Sequence, residues 1–204
     1  MSSIVVGIAG GSASGKSTVV REFTRIVGDG RAAILRHDAY YYDLSHMPFE
    51  RRIEVNVDHP DSLETSLLVE HVTLLRTGRA VEVPVYDYVS QTRAASGVVV
   101  APAPVIVVEG MLTLYEARLR ELMDLRVFID TSPEERLARR IARDTVERGR
   151  DQQAVERQHV DRVQPMHDIF VEPSRAHADV LLSQGGHHAV GVRALAERVL
   201  GLLG

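Results

Sequence analysis

The chain has 204 residues, with 24 lysines plus arginines against 28 aspartates plus glutamates, a net charge of −4, and neither cysteine nor tryptophan. That balance does not suggest a general nucleic-acid or anionic-membrane surface, and the lack of thiols excludes disulfides and thiolate metal sites. Hydrophobic content of 45% and charged content of 25% suit one globular α/β domain spanning 1–204, its core built from Leu, Ile, Val and Ala because aromatics make up only 5%. No apolar run approaches membrane-spanning length and no signal sequence precedes the first strand, so a cytoplasmic protein without membrane or nucleic-acid partners is expected.

Ile4 to Ala9 is apolar and β-branched, as a buried parallel strand should be. Gly10-Gly11-Ser12-Ala13-Ser14-Gly15-Lys16-Ser17 follows, then Thr18 and a helix-like segment from Val19. The octet fits G-x-x-x-x-G-K-[ST], a phosphate-binding loop set between strand and helix. Glycines let the backbone curl with its N–H groups inward, and the helix N-terminus adds partial positive charge at the same spot. Lys16 can reach outer phosphates and the Ser17 hydroxyl can ligate Mg²⁺. Every other side-chain cation of the Lys/Arg class is arginine, a planar fork; the one lysine falls where a slim point charge is needed.

Ala32–Arg36 reads as the second strand, ending at His37-Asp38. Asp38 is placed either to face a substrate beyond the strand's carboxyl end or to serve as a turn or capping residue. Residues 45–62 look irregular, and Asp61 or Ser62 could cap a helix over 63–76 that Gly78 ends. Val81–Tyr86 and Val98–Val100 can pair as a hairpin-like flap over 78–100. Val105–Val108 is the clearest central strand; Glu109 after it is either a Mg²⁺-side carboxylate or a solvated strand end. Leu125–Asp130 is a further strand, and Thr131 or Ser132 caps the helix opened by Pro133.

That helix, about 134–148, carries Arg136, Arg140 and Arg143 at i, i+4 and i+7, on one face. Like charges so placed repel unless an anion or acidic partners neutralise them. They read as an arginine lid gripping phosphates, with Arg139 and Glu135 forming a partly solvated face; the lid region runs over 134–163, with Gly149 as a joint before Arg150. A helix over 151–163, a short strand at Val180–Leu182, a Gly185-Gly186 turn and a closing helix over 189–203 complete the chain. His187-His188 reads as loop rather than a metal pair. The expected fold is a P-loop three-layer sandwich: a central parallel sheet with helices on both faces, a small β-hairpin flap and an arginine-rich lid.

Taken in order, the loop Gly10–Thr18, Asp38-Ala39-Tyr40-Tyr41, Asp58-His59-Pro60-Asp61, Pro84-Val85-Tyr86-Asp87-Tyr88, Glu109-Gly110, Arg139–Asp144 with Arg150, and Phe170–Ser174 with Ala178-Asp179 resemble the phosphoribulokinase/uridine kinase family over nearly the whole chain. The resemblance implies phosphorylation of the 5′-hydroxyl of uridine or cytidine by ATP (or GTP) with Mg²⁺, in pyrimidine salvage. It implies that Asp38 accepts the hydroxyl proton and that Asp58 binds ribose hydroxyls with Arg143 and Arg150 nearby. Tyr41, Tyr86 and Tyr88 would wall the nucleoside pocket and Gln158 touch the nucleoside. Ser17 and Glu109 would serve Mg²⁺, Lys16 and Arg140 the phosphates, and the assembly would be a homotetramer. Gln91 stands where the family usually has a histidine that meets the pyrimidine; its amide offers both donor and acceptor. Two other readings stand beside this one: a same-family kinase acting on a different small alcohol, and a non-catalytic nucleotide switch. The second must do without an Asn-Lys-x-Asp guanine-reading motif, which a single lysine at position 16 forbids.

Overall fold

The structure is a computed structural model that describes residues 3–147, 149–183 and 189–204. Arg148, the Gly185-Gly186 turn and His187-His188 lie outside the described residues.

Strand β1 (Ile4–Gly10) leads into helix α1 (Lys16–Val27) and strand β2 (Ala32–Arg36). A 3₁₀ turn over His37–Tyr40 follows, then α2 (Phe49–Arg52), a second 3₁₀ turn at Pro60–Ser62 and α3 (Thr65–Arg76). Four short strands come next: β3 (Val81–Val83), β4 (Tyr86–Asp87), β5 (Thr92–Arg93) and β6 (Val98–Val100). Strand β7 (Val105–Glu109), α4 (Ala117–Arg120), β8 (Leu125–Asp130), α5 (Pro133–Glu147), α6 (Gln152–Gln158), α7 (Gln164–Met166), β9 (Val180–Ser183) and α8 (Ala189–Leu203) complete the order.

Five strands form one parallel sheet in the order β2-β7-β1-β8-β9. The alternation of the pleat decides which side each residue feeds. In β1, Val6 and Ile8 pack beneath α1 and α8, against Phe23, Val27, Leu195 and Val199. Val5 goes to the other face, with Leu68, Val72 and Leu75 of α3 and Leu119 of α4. All of these are at most 3% exposed, and burial of each such side chain contributes roughly 1.5–3 kcal/mol. Helices on both faces of a parallel sheet make the three-layer sandwich expected from the chain's alternating pattern.

Strand register brings distant residues to one edge. Ile8 of β1 and Arg36 of β2 both stand opposite Glu109 of β7, and Gly10 stands opposite Ile129 of β8. The glycine loop, Glu109 and the His37–Tyr40 turn therefore leave the sheet side by side at the carboxyl ends of the strands, where open α/β sheets place ligands.

Two antiparallel ribbons follow α3: Val81–Val83 of β3 pairs with β6, while Tyr86 of β4 pairs with Arg93 of β5 instead of continuing β3. Some local features differ from the sequence reading. α3 begins at Thr65, not Leu63, which instead bridges to Tyr41. Ser62 does not cap it, because its hydroxyl donates to the carbonyls of Val57 and His59; Asp61 lies within the preceding 3₁₀ turn. Ser132 does cap α5, accepting from Glu135 N at 3.2 Å. After α6 the helix widens: Gln164 N reaches back five residues to His159 O. Pro165 lacks an N–H and its ring crowds the preceding turn, so a wider turn relieves the conflict without ending the helix.

Candidate active site

The phosphate loop is built on backbone conformations that side chains resist. Gly10 and Gly15 have φ of 146° and 98°. A Cβ on Gly10 would lie 2.7 Å from Ile129 O. Ala13 takes φ of 60° without being glycine, a strained arrangement of the kind held at ligand sites. Lys16 is half-buried, and its Nζ donates to Gly10 O and Gly11 O at 2.9 and 2.8 Å. Burial pushes its pKa down, while the charges of Asp38 and Glu109 oppose that shift. The loop is pinned from behind where Ser14 O accepts from Thr131 Oγ1 at 3.0 Å and from Arg139.

A cavity of about 590 Å³ opens from this loop. Its wall includes Ser12, Ala13, Gly15, Lys16, Ser17 and Thr18, and on the opposite side Asp38, Tyr41, Asp58, Tyr86, Tyr88 and Gln91. Glu109, Arg140, Arg143, Arg150 and Gln158 line it as well. Gly10, Gly11 and Ser14 do not line it: they shape the loop from within, Ser14 being fully buried.

Asp38 is the second residue of the His37–Tyr40 turn, whose N-cap is Arg36, so it is not the capping residue. The three tyrosines form one aromatic wall, with ring centroids 5.1 Å apart for Tyr41–Tyr86 and 5.4 Å for Tyr86–Tyr88. Burial raises the Tyr41 pKa well above the usual phenol value. Asp58, 8% exposed, has its pKa raised chiefly by burial, with Arg140 pulling the other way. Gln91 is held at φ of 56° with its N–H on Asp87 O. Its Oε1 is buried and takes no hydrogen bond among the described residues.

The arginines divide. Arg140 donates to Ser12 Oγ at 3.2 Å and to Gln158 Oε1 at 2.9 Å, spanning from the loop to the far wall. Arg150 shares the same Gln158 oxygen at 3.1 Å. Arg136, one turn earlier than Arg140, does not join them at the cavity: it is 2% exposed and lies behind the loop, where a Cβ on Gly11 would meet its Nη1 at 2.5 Å.

Several residues at the site were not singled out from sequence. Arg36 reaches Glu109 at 3.2 Å and lines the cavity. Arg93 pins the flap to the aromatic wall, donating to Tyr41 O at 2.8 Å, Tyr40 O at 3.1 Å and Glu64 Oε2 at 2.7 Å. Ile53, Val55 and Val57 supply the apolar part of the lining. These contacts join segments far apart in the chain, and no local pattern announces them.

His37, next to Asp38, is 1% exposed and shares a hydrogen with Thr65 Oγ1 at 2.9 Å. Burial pushes its pKa down to about 4. The unfolded chain, with a histidine near 6.5, therefore binds more protons than the folded one between those values. The neutral ring's contribution is complete above pH 6.5 and is lost as the pH falls toward 4, by roughly 1.4 kcal/mol per unit. Urea unfolding at pH 7 and pH 5 is expected to show this loss, and His37→Gln to reduce it; part of the slope remains from His167, also pushed to about 4, mainly by burial.

The residues present fit Mg²⁺ bound alongside a nucleotide. Ser17 Oγ and Glu109 Oε2 stand 3.3 Å apart on the cavity wall. Among the described residues no group of three or more His, Cys, Asp or Glu gathers for a metal. Mg²⁺ in phosphoryl-transfer sites takes one or two carboxylates, with phosphate oxygens and water completing its shell.

Phosphoryl transfer from a nucleotide to a small acceptor is the chemistry that a phosphate cradle facing a carboxylate and an aromatic wall can serve, on the fold of the P-loop kinases. The profile of the Phosphoribulokinase / Uridine kinase family matches residues 5–191. The chain belongs to that family and is a kinase using a nucleotide phosphate donor. It is 42% identical over 195 residues to the uridine kinase of Staphylococcus haemolyticus, covering 96% of this chain and 94% of that one. It is 44% identical over 196 residues to the uridine kinase of Chloroflexus aurantiacus, with 96% and 94% covered. Phosphoribulokinase from Rhodobacter spheroides shares the fold, with a TM-score of 0.67 at 15% identity over 89% of this chain and 70% of that one.

Proposed function

We propose that this enzyme transfers the γ-phosphoryl group of ATP, with Mg²⁺, to the 5′-hydroxyl of uridine and cytidine, a step of pyrimidine salvage. The observation that carries this reading is the single cavity joining the phosphate loop to Asp38, Asp58 and the tyrosine wall. The curated relatives named uridine kinase, similar over nearly their whole length, support it.

In this reading the loop amides and Lys16 hold the phosphate tail, and Ser17 with Glu109 holds Mg²⁺. When bound, the ion offsets charge on the phosphate oxygens. Asp38 orients the acceptor hydroxyl and takes its proton as the new O–P bond forms and the bond to the β-phosphate bridging oxygen breaks, releasing ADP. Asp58, buried beside Arg140, accepts hydrogen bonds from ribose hydroxyls. Arg140, reaching both the loop and Gln158, covers the transferring group. Release of ADP that depends on uridine or cytidine tests the assignment; ADP release of equal rate without any nucleoside overturns it.

Base choice rests on Gln91. Its amide, by turning over, pairs with the N3–H and carbonyl of uracil or with the N3 and amino group of cytosine. The two nucleosides are therefore expected to differ by less than about tenfold in kcat/KM, since the amide meets either edge. Gln91→Leu is expected to lower kcat/KM for both by about 10- to 100-fold, because the base edge is left unpaired, with KM for ATP unchanged. A nucleoside panel on both forms checks this.

The protein is further proposed to be cytoplasmic and homo-oligomeric. Among the described residues no helix is long and apolar enough to cross a membrane. Val98 and Val99 on the flap are 56% and 71% exposed, an apolar surface suited to another subunit.

A further inference from the structure

Asp144 of α5 is fully buried and does not line the cavity, yet the three arginines around it do. Its carboxylate lies 2.8 Å from Arg143 Nη2, 3.5 Å from Arg150 Nη1 and 3.8 Å from Arg140 Nε. Its backbone carbonyl accepts from Arg150 N at 3.0 Å, closing the segment around the hub. Three guanidiniums this close repel one another, and a carboxylate behind them offsets that repulsion without facing the phosphates in front.

Arg143 takes the close contact, its Nε and Nη2 both 2.8 Å from Asp144 Oδ1, while Arg140 feels the carboxylate through charge. With its Nε 3.8 Å from Asp144, its two terminal nitrogens take different partners, Nη1 donating to Ser12 on the donor loop and Nη2 to Gln158 on the acceptor wall. Gln158 in turn takes Arg150. The fork of Arg140 thus has two hydrogen-bonded ends, and the buried carboxylate stands behind its Nε as charge alone, belonging to neither half of the cavity.

We infer that Asp144 is a positioning residue for phosphoryl transfer, setting the aim of Arg140 across the two substrates while touching neither. This rests on the kinase reading of the site. A side chain misplaced by about 1 Å in such an arrangement costs about 100-fold in rate.

The test is a double-mutant cycle in kcat with ATP and uridine, using Asp144→Asn, Arg140→Met and the double variant, with thermal melting alongside. Asp144→Asn is expected to lower kcat by about 100-fold. The double variant is expected to be no slower than Arg140→Met alone, because the aspartate acts through that arginine. Losses that multiply in the double variant, or a folded Asp144→Asn enzyme with kcat within twofold of the parent, overturn the inference. Where Asp144→Asn does not fold, the same cycle with Asp144→Glu, which keeps the charge but moves it, is read by the same two criteria. Failure of the kinase reading itself appears elsewhere, as a parent enzyme that phosphorylates no pyrimidine nucleoside.

Discussion

Asp38→Asn is expected to lower kcat for nucleoside phosphorylation by about 10²- to 10⁴-fold, the range for loss of a positioned general base. Asparagine keeps the shape and one hydrogen-bond acceptor but cannot take the proton. The 3₁₀ turn that carries the residue is anchored independently of its carboxylate: Tyr40 Oη pairs with His71 Nδ1 at 2.9 Å, and Arg93 holds the carbonyls of Tyr40 and Tyr41. The geometry should therefore survive the change. KM for ATP is expected to stay within a few-fold, since in the proposed function the loop and Lys16, not Asp38, hold the phosphate tail. Steady-state ADP release and binding of a non-hydrolysable ATP analogue separate the two effects; turnover retained within a few-fold removes Asp38 from this role.

Lys16→Arg is expected to cost about 10²- to 10³-fold in kcat, comparable to losing a principal charge-stabilising donor. The substitution preserves charge and follows the chain's own preference, since arginine is used at every other Lys/Arg position. It fails on shape. Lys16 is half-buried and its ammonium fits between two loop carbonyls less than 3 Å away. A planar fork with five fixed donors cannot turn in that space as three rotating ones can. Kinetics with ATP across a concentration series test it; activity near the parent's would mean that charge alone suffices at this position.

The parts of the fold carried by local pattern could be read directly. The apolar run ending in the glycine octet gave β1, the loop and α1, because each glycine's backbone demand is met within a few residues. The central β7 and its terminal Glu109 followed from an unbroken run of branched side chains. The cap of α3 was misplaced because Ser62 has carbonyls of its own neighbourhood to bond, a competition that composition does not reveal. Arg136 was grouped with Arg140 and Arg143 because helical angle put them on one face. Position along the axis decided otherwise: four residues are about 6 Å of rise, enough to put one guanidinium behind the loop and the next in the cavity. Arg36 and Arg93 acquire their partners only once strands and loops far apart in sequence have met.

The aromatic wall has a practical corollary. Of the six tyrosines, Tyr41, Tyr86 and Tyr88 surround the cavity, and the chain holds no tryptophan whose stronger emission would mask them. Half of the protein's tyrosines thus line one compartment. If the acceptor binds there as proposed, its heterocycle is expected to change their quantum yield on contact, so that occupancy can be followed optically in unlabelled enzyme, separately from events at the loop.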